Sequence, residues 1–303
     1  MKVTALAGGV GGAKMLVGLD AVADLTAIVN VGDDDVVYGV RVCPDIDICT
    51  YWLAGIADTE RGWGINDDDT VVIDAFARLG GDAWFQLGDR DFATCLFRTQ
   101  RLAAGATLSG VTDEIRRAFG VNATLLPATD DHLRTQIVTR DGRTLEFQEY
   151  FVKERQAPEV AEVLFTGASQ ATPAPGVLAA IAGADTVVIC PSNPMLSVGP
   201  IVALPGIRDA LREHPRVVAV TPIVRGAALK GPADRIMRST GIEPRASEVA
   251  RLYADFVDLF VVDATDRGEA ALVREMGMMD ATFDTIMTDR ATSTRLAREL
   301  VNV

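Results

Sequence analysis

Histidine is nearly absent from this chain, with two in 303 residues. His214 precedes Pro215 at the end of a helical stretch and reads as a helix C-terminal cap. His132 sits in "DDHLRT" near Arg134 and is a candidate for a binding surface. Neither a Ser-His-Asp nor a Cys-His arrangement finds support. Cysteine is also scarce. Cys43, Cys49, Cys95 and Cys190 include no CxxC pair, which argues against a zinc ribbon or a disulfide framework and fits reduced thiols. Positive charge is short as well, with 29 Lys and Arg against 42 Asp and Glu, a net charge of −13. No basic run exceeds Arg116-Arg117, so nucleic acid is not an expected partner. No segment approaches the roughly 18 apolar residues of a membrane helix. The opening "MKVTALAGG" lacks the pattern of a signal peptide. The expectation is a cytoplasmic protein that engages neither membrane nor nucleic acid.

Hydrophobic residues make up 49% of the chain and charged residues 23%. That is ample for a buried core in one large domain or two smaller ones. Lys2–Ala7 reads as a short buried strand, Gly8–Gly12 as a glycine loop, Ala13–Val22 as a helix and Leu25–Val31 as a second strand. This β–loop–α–β order opens a parallel, doubly wound sheet. "TVVIC" at 186–190, "RVVAVT" at 216–221 and "LFVVD" at 259–263 are further buried strands, with "DTIMTD" at 284–289 a weaker one. In such sheets ligands lie at the carboxyl ends of strands.

The middle of the chain differs. Asp68–Leu79 and Ser109–Phe119 read as helices, "AWFQ" at 83–86 as strand-like, and "TQIVTRDGRTLEF" as a hairpin turning at Asp141-Gly142. "GASQATPAPG" at 167–176 reads as a connector. The expected architecture is therefore α/β: a Rossmann-like, doubly wound, mostly parallel sheet formed by residues 1–54 and 176–303. A mixed helical and hairpin substrate subdomain at 55–175 is inserted into it.

"AGGVGGAK", Ala7–Lys14, places Gly8, Gly9, Gly11 and Gly12 before a helix. Glycines admit a phosphate close to the backbone, and the helix start offers free N–H groups and Lys14 a charge. The spacing matches neither G-x-G-x-x-G nor the Walker A pattern, and a tight structural turn is the competing reading. A dinucleotide fold places an acid for a ribose hydroxyl at the end of the second strand; here "NVGDDD" ends the strand in Asn30, with Asp33 to Asp35 a few residues on, an imperfect match for NAD, and a solvated acidic loop is the alternative.

Two acidic pairs follow. Asp45 and Asp47 lie in "CPDIDICTYWLAG" with no lysine or arginine within six residues on the C-terminal side. In an extended segment, i and i+2 carboxylates point the same way and suit a hard cation such as Mg²⁺. A cation there would also reconcile an acidic protein with a phosphate ligand. The alternative for Asp45 is an N-cap of a helix over 46–55. Asp89 and Asp91 flank Arg90 in "LGDRD", where a salt-bridged loop is the alternative. "CPSNPMLSVGP" follows a buried strand with Ser192, Asn193 and Ser197, suited either to a nucleotide or to helix capping. Trp63 in "RGWG" is flanked by glycines and is a candidate to line a cleft.

"GGVGGAK", "NVGDD", "CPDID" with "YWLAG", "RGWG", "GGDAWFQLGDRDFAT", "FQEYFV" and "CPSNPMLSVGPI" occur in an order that resembles the 2-phospho-L-lactate transferases. The likeness is greatest to their actinobacterial form, the phosphoenolpyruvate transferase of coenzyme F420 biosynthesis, and runs over nearly the whole chain. The resemblance implies transfer of a three-carbon acid phosphate from a guanosine-diphosphate-activated donor. The acceptor would be the ribityl hydroxyl of the hydroxy-deazaflavin Fo, with GMP leaving and Mg²⁺ required. It implies that Gly8–Gly12 and Lys14 hold the diphosphate. Ser192 and Asn193 would face the guanosine, and Asn30 and Asp33 would complete the nucleotide side. It assigns Asp45 to the metal or to the acceptor proton, with Asp47 beside it. Asp47, Gln86, Asp89, Asp91 and Trp63 fall to the deazaflavin, with Phe147–Val152 in the acceptor pocket. Two positions depart from the pattern: Gln86 stands where some relatives have lysine, and Cys95 where histidine is common.

A related family of gluconeogenesis factors, nucleotide-sugar-binding regulators, shares the glycine loop and is the rival reading. "LGDRD" and "FQEYFV" favour the transferases. An NAD-dependent oxidoreductase is weakened by Lys14 and Asn30. Nothing in the sequence selects between the phosphoenolpyruvate and phospholactate donors. A homodimer is only the common default.

Overall fold

The computed structural model describes residues 1–303. Seven strands form one sheet: β1 (Lys2–Ala7), β2 (Asp24–Val29), β3 (Thr124–Pro127), β4 (Thr186–Ile189), β5 (Val217–Val220), β6 (Leu259–Asp263) and β7 (Met279–Phe283). Their order is β7-β6-β5-β4-β1-β2-β3, and every neighbouring pair is parallel. The winding reverses between β1 and β4, which pair from Val3 opposite Thr186 to Leu6 opposite Ile189. A doubly wound sheet opens its ligand crevice at this reversal.

Strands covered on both faces need apolar side chains on both, and β4, β5 and β6 are buried at every position. They contribute to a single core of 59 buried hydrophobic residues. Helix α1 (Gly9–Asp20) packs against α2 (Pro44–Ala54) and the C-terminal helix Arg290–Asn302. The last contact is close enough that a Cβ on Gly18 would lie 2.2 Å from the Ser293 carbonyl oxygen.

Several expectations are corrected. The glycine segment is not a loop, since Gly9–Gly12 are the first residues of α1. The last strand is Met279–Phe283, and 284–289 is the connection that follows it, ending in the Asp289–Thr292 capping box. Residues 83–86 are irregular. Asp89 and Asp91 lie in the first turn of a helix, Asp89–Ala103, rather than in a loop. Asp45 is not an N-cap, because α2 starts at Pro44 with Cys43 as its cap, and the two acids share a helical rather than an extended segment. The stretch 55–175 is not one continuous insertion. Thr124–Pro127 returns to the main sheet as β3 beside β2, since its alternate residues Leu125 and Pro127 are buried.

The expected hairpin is present, pairing Arg134–Thr139 with Thr144–Glu146, and Val160–Thr166 adds a third antiparallel strand. A second hairpin, Asp35–Val37 with Val40–Val42, turns through Tyr38 (φ 52°) and Gly39 (φ 80°). Two successive positive φ values match the twist of a two-residue turn. This hairpin and the helices Val71–Arg78 and Asp89–Ala103 share a separate small core of Val37, Val40, Val42, Ile73, Leu87 and Cys95. No helix is long and apolar enough to cross a membrane.

Candidate active site

A cavity of about 780 Å³ opens over the carboxyl ends of β1, β4 and β5. One wall is backbone. Gly8 donates its N–H to Ser192 Oγ at 3.1 Å, and that hydroxyl donates to the Gly8 carbonyl at 2.8 Å. Ser192 thus fastens the segment after β1 to the segment after β4, and this pairing occupies its hydroxyl. The approach is tight. A Cβ on Gly11 would lie 2.4 Å from the Pro191 carbonyl oxygen, and one on Gly8 2.3 Å from Asp45 Oδ2. The glycines are required by crowding around them. Asn193 caps the turn Pro194–Val198, accepting from the Met195 and Leu196 N–H groups at 2.9 and 3.1 Å. Its Nδ2 is buried without a partner. Lys14 donates to the Met287 carbonyl at 3.0 Å and lies 5.5 Å from the centre of the Trp52 ring. Burial, then the Lys230 ammonium nearby, lower its pKa.

Asn30 is the hub of the acidic floor. Its Nδ2 donates to Asp45 Oδ2 at 2.9 Å and to Asp33 Oδ1 at 3.2 Å, while its Oδ1 accepts the Gly32 N–H at 2.8 Å. Asp45 Oδ1 accepts the Gly9 N–H at 2.7 Å. Asp33 and Asp45 are both buried. Burial, and then the charge of Asp45, push Asp33 well above the ordinary carboxylate range. Burial also pushes Asp45 up to about 6, against hydrogen bonds from Asn30 and Gly9 that favour its charged form. Two guanidiniums in this region are committed elsewhere, the half-buried Arg41 to Asp34 at 3.1 Å and the buried Arg98 to Asp47.

Asp47 faces a different neighbour from Asp45. Its carboxylate accepts from Arg98, a side chain with no exposed surface, which also donates to the Arg41 carbonyl at 3.1 Å. The absence of lysine and arginine around Asp47 is therefore a property of the local sequence only. Asp91 Oδ1 accepts from the Tyr51 hydroxyl at 2.8 Å. Burial, then the charge of Asp47, push Asp91 up to about 7. Asp91, Cys95 and Arg98 share one face of their helix at i, i+4 and i+7. That spacing is the signal by which Arg98 was readable, although it was not among the expected site residues.

The remaining expected positions divide. Gln86 and Trp63 line the cavity, with the Arg61 guanidinium 5.0 Å from the Trp63 ring centre. Phe147, Gln148, Phe151 and Val152 line it as well, and the two phenylalanine rings stack at 5.3 Å. Asp89 does not line it; its carboxylate accepts the Val72 N–H at 3.0 Å and anchors the helix Val71–Arg78. His132 is exposed and outside the cavity, and His214 sits at the C-cap of the helix Ile207–Glu213. Four cations that sequence reading missed also line the cavity: Arg61, Arg155, Lys230 and Arg235. They are scattered along the chain, so no basic run announces them, yet they make the cavity mouth cationic in a protein of charge −13.

Two groups of side chains in the cavity bring acidic ligand atoms together. Ligand atoms of Asp47, Asp91 and Cys95 lie within 4.8 Å of one another. Arg98 already neutralises Asp47 there, and burial keeps the Cys95 thiol protonated. A thiol is also a poor ligand for a hard cation. Asp33 and Asp45 fit better, since they are buried carboxylates converging on one amide without a cationic partner. Of the expected pair, Asp45 shares Asn30 with Asp33, whereas Asp47 turns to Arg98.

The profile of the family described as 2-phospho-L-lactate transferase CofD matches residues 3–301. A phosphoenolpyruvate transferase of Streptomyces griseus is 42% identical over 312 residues, covering 100% of this chain and 98% of that protein. Those of Streptomyces coelicolor and Mycolicibacterium smegmatis are 40% and 38% identical, covering 100% and 98% of this chain and 98% and 97% of theirs. Among solved structures, a UPF0052 family protein from Bacillus halodurans superposes with a TM-score of 0.67 at 15% identity, over 99% of this chain and 98% of that one. That likeness is one of fold.

Proposed function

Because the chain belongs to the 2-phospho-L-lactate transferase family and is a transferase of the phosphoenolpyruvate/2-phospho-L-lactate kind, we propose that it moves the phosphoenolpyruvyl or 2-phospho-L-lactyl unit from a guanosine-diphosphate-activated donor to the ribityl hydroxyl of Fo. The observation that carries this reading is one cavity with two unlike walls. A glycine-lined, helix-start wall meets an acidic and aromatic wall built from Asp47, Asp91, Trp63, Trp84 and Phe85. The first suits a diphosphate and the second a flat polyhydroxylated acceptor. The names of the curated relatives favour phosphoenolpyruvate as the three-carbon acid.

The reaction is a substitution at phosphorus. The acceptor oxygen forms the new P–O bond. The bond from that phosphorus to the oxygen bridging to GMP breaks, and GMP leaves with the electron pair. Such transfers depend on positioning and charge neutralisation more than on covalent help from the protein. The N–H groups at the start of α1, the free amide of Asn193 and the ammonium of Lys14 hold the diphosphate. Mg²⁺, held by Asp33 and Asp45 together with donor oxygens, would neutralise charge on the phosphoryl groups. Asp91 takes the acceptor proton, because its raised pKa sets it near neutrality, where a general base works best. Asp47, kept ionised by Arg98, orients the ribityl chain.

Gel filtration of the protein with Fo, followed by deazaflavin fluorescence, tests the acceptor half. Co-elution is expected. Fluorescence only in the small-molecule fractions, with folded protein, would remove the acceptor from the reading.

A further inference from the structure

We propose that Arg155 and Arg235 form a carboxylate-binding subsite at the rim of the cavity, and that it recognises the three-carbon acid of the donor. This rests on the transferase reading and adds the place where the acid end docks.

Most arginines of this protein are paired with acids, but these two are exceptions. Arg155 has no hydrogen-bonded or ion-paired partner, and the Arg235 guanidinium donates to the Gln156 side-chain carbonyl instead of to an acid. Both line the cavity. The next arginine on the Arg235 helix, Arg238, is by contrast paired with Asp234 at 2.7 Å. Arg235 is thus bonded to the side chain of the residue that follows Arg155, and both guanidinium-bearing residues line the same cavity.

The backbone at this point is unusual. Arg155 and Gln156 have φ of 51° and 58°, two successive non-glycine residues in the left-handed region. Side chains disfavour that conformation, so it persists only where surrounding contacts fix it. Here the Gln156 N–H is held by the Tyr150 carbonyl at 2.9 Å, and the Ala157 N–H by the Glu154 carbonyl at 3.0 Å. The strained turn projects Arg155 at the cavity instead of continuing the preceding helical turn.

The cations of the cavity divide by type. The ammonium groups Lys14 and Lys230 belong to the α1 wall, where Lys230 approaches the Glu60 carbonyl at 3.4 Å and acts electrostatically on Lys14. A guanidinium fork matches a planar carboxylate, as it does a phosphate, with two parallel hydrogen bonds, so it is the position of each cation that assigns its anion. The donor carries both kinds of anion. With the diphosphate on the glycine and lysine wall and Arg61 paired with Asp58, Arg155 and Arg235 are left for the carboxylate.

Arg155→Ala, Arg235→Ala and Arg235→Lys separate this from other roles, because GDP lacks the three-carbon acid. GDP affinity is measured by titration, and KM with the guanylylated phosphoenolpyruvate donor by product formation. Each alanine variant is expected to raise the donor KM about tenfold, the equivalent of one charge-assisted contact, with GDP affinity within about twofold of wild type. Arg235→Lys is expected to recover only part. An equal loss of GDP affinity would place the arginines on the diphosphate, and an unchanged donor KM would make them rim charges. Either result overturns the subsite. Both residues are exposed, and melting temperatures show whether the variants fold as wild type. Should wild type fail to bind GDP or to form product, the transferase reading fails, separately from the subsite.

Discussion

The two walls of the cavity are built in opposite ways. The glycine wall, to which we assign the nucleotide, grows from the central sheet. Its residues follow β1, β2 and β4 directly, and short backbone contacts such as Gly8 with Ser192 fasten them to the main core. The acidic and aromatic wall spans two bodies: Asp47 sits on α2, whose Ile46 and Cys49 belong to the main core, while Trp84 and Phe85 pack on a lobe with its own small core, and the Asp47–Arg98 contact joins the two across 51 residues of sequence. A wall anchored in a parallel sheet is fixed by the fold. A wall fixed by one buried ion pair depends on both members of it, and removing one leaves the other charged and unsatisfied. The glycine wall and the acidic wall can therefore be perturbed separately.

The largest effect that would test this separation is expected at Asp45. Asp45→Asn is predicted to lower transfer about 10³-fold or more, on the scale of losing a group that stabilises transition-state charge. GDP affinity in Mg²⁺-free buffer should stay close to wild type. Near-normal turnover by the variant would remove Asp45 from the chemistry.

Arg98→Ala strikes the other wall. It is predicted to destabilise the protein by about 3–5 kcal/mol in denaturant unfolding, the usual result of orphaning a buried charge. Arg98→Lys should recover only part, since an ammonium lacks the planar fork that reaches both Asp47 and the Arg41 carbonyl. If Arg98→Ala unfolds like wild type, the acceptor wall is not organised by this pair.

Asp91→Asn is expected to lower kcat about 10²–10⁴-fold, the range for a general base. In the wild type, activity should rise with pH through about 7 as Asp91 loses its proton. A kcat that is flat between pH 6 and 8 would contradict the assignment.

The smallest effect concerns stability. Asp45 keeps its proton up to about pH 6 when folded, against about 3.9 in an unfolded chain. A carboxyl raised by folding stabilises most below its unfolded pKa, and that contribution is lost as pH rises through the folded value. Asp33, also raised, acts in the same direction. Mg²⁺ bound to the ionised pair should therefore raise Tm more at pH 8 than at pH 5, and much less in Asp45→Asn. An equal increment at both pH values, or one that survives the substitution, would place the cation elsewhere.

The same contrast explains what could be read in advance. Continuous buried runs such as "TVVIC" and "LFVVD" announce parallel strands, so the sheet and its ligand edge were legible. The glycines were legible as a site but misread as a loop, because helix-start glycines and loop glycines look alike without their neighbours. The crowding of Gly11 against Pro191 is visible only once β1 and β4 are adjacent. β3 was missed because "TLLP" is four residues long and lies in a stretch whose other elements leave the sheet. Asp33 and Asp45 meet through Asn30, and Asp47 meets Arg98, by long-range folding. Local spacing therefore does not reveal which of these side chains become neighbours.

The most direct test of the central claim is a single-turnover reaction of the protein with Fo, the guanylylated phosphoenolpyruvate donor and Mg²⁺, with products separated and weighed by mass spectrometry. The expected products are Fo carrying one phosphoenolpyruvyl group, the dehydro form of F420-0, and an equal amount of GMP. Donor hydrolysis that releases GMP while Fo keeps its original mass, or an unchanged donor, would contradict it.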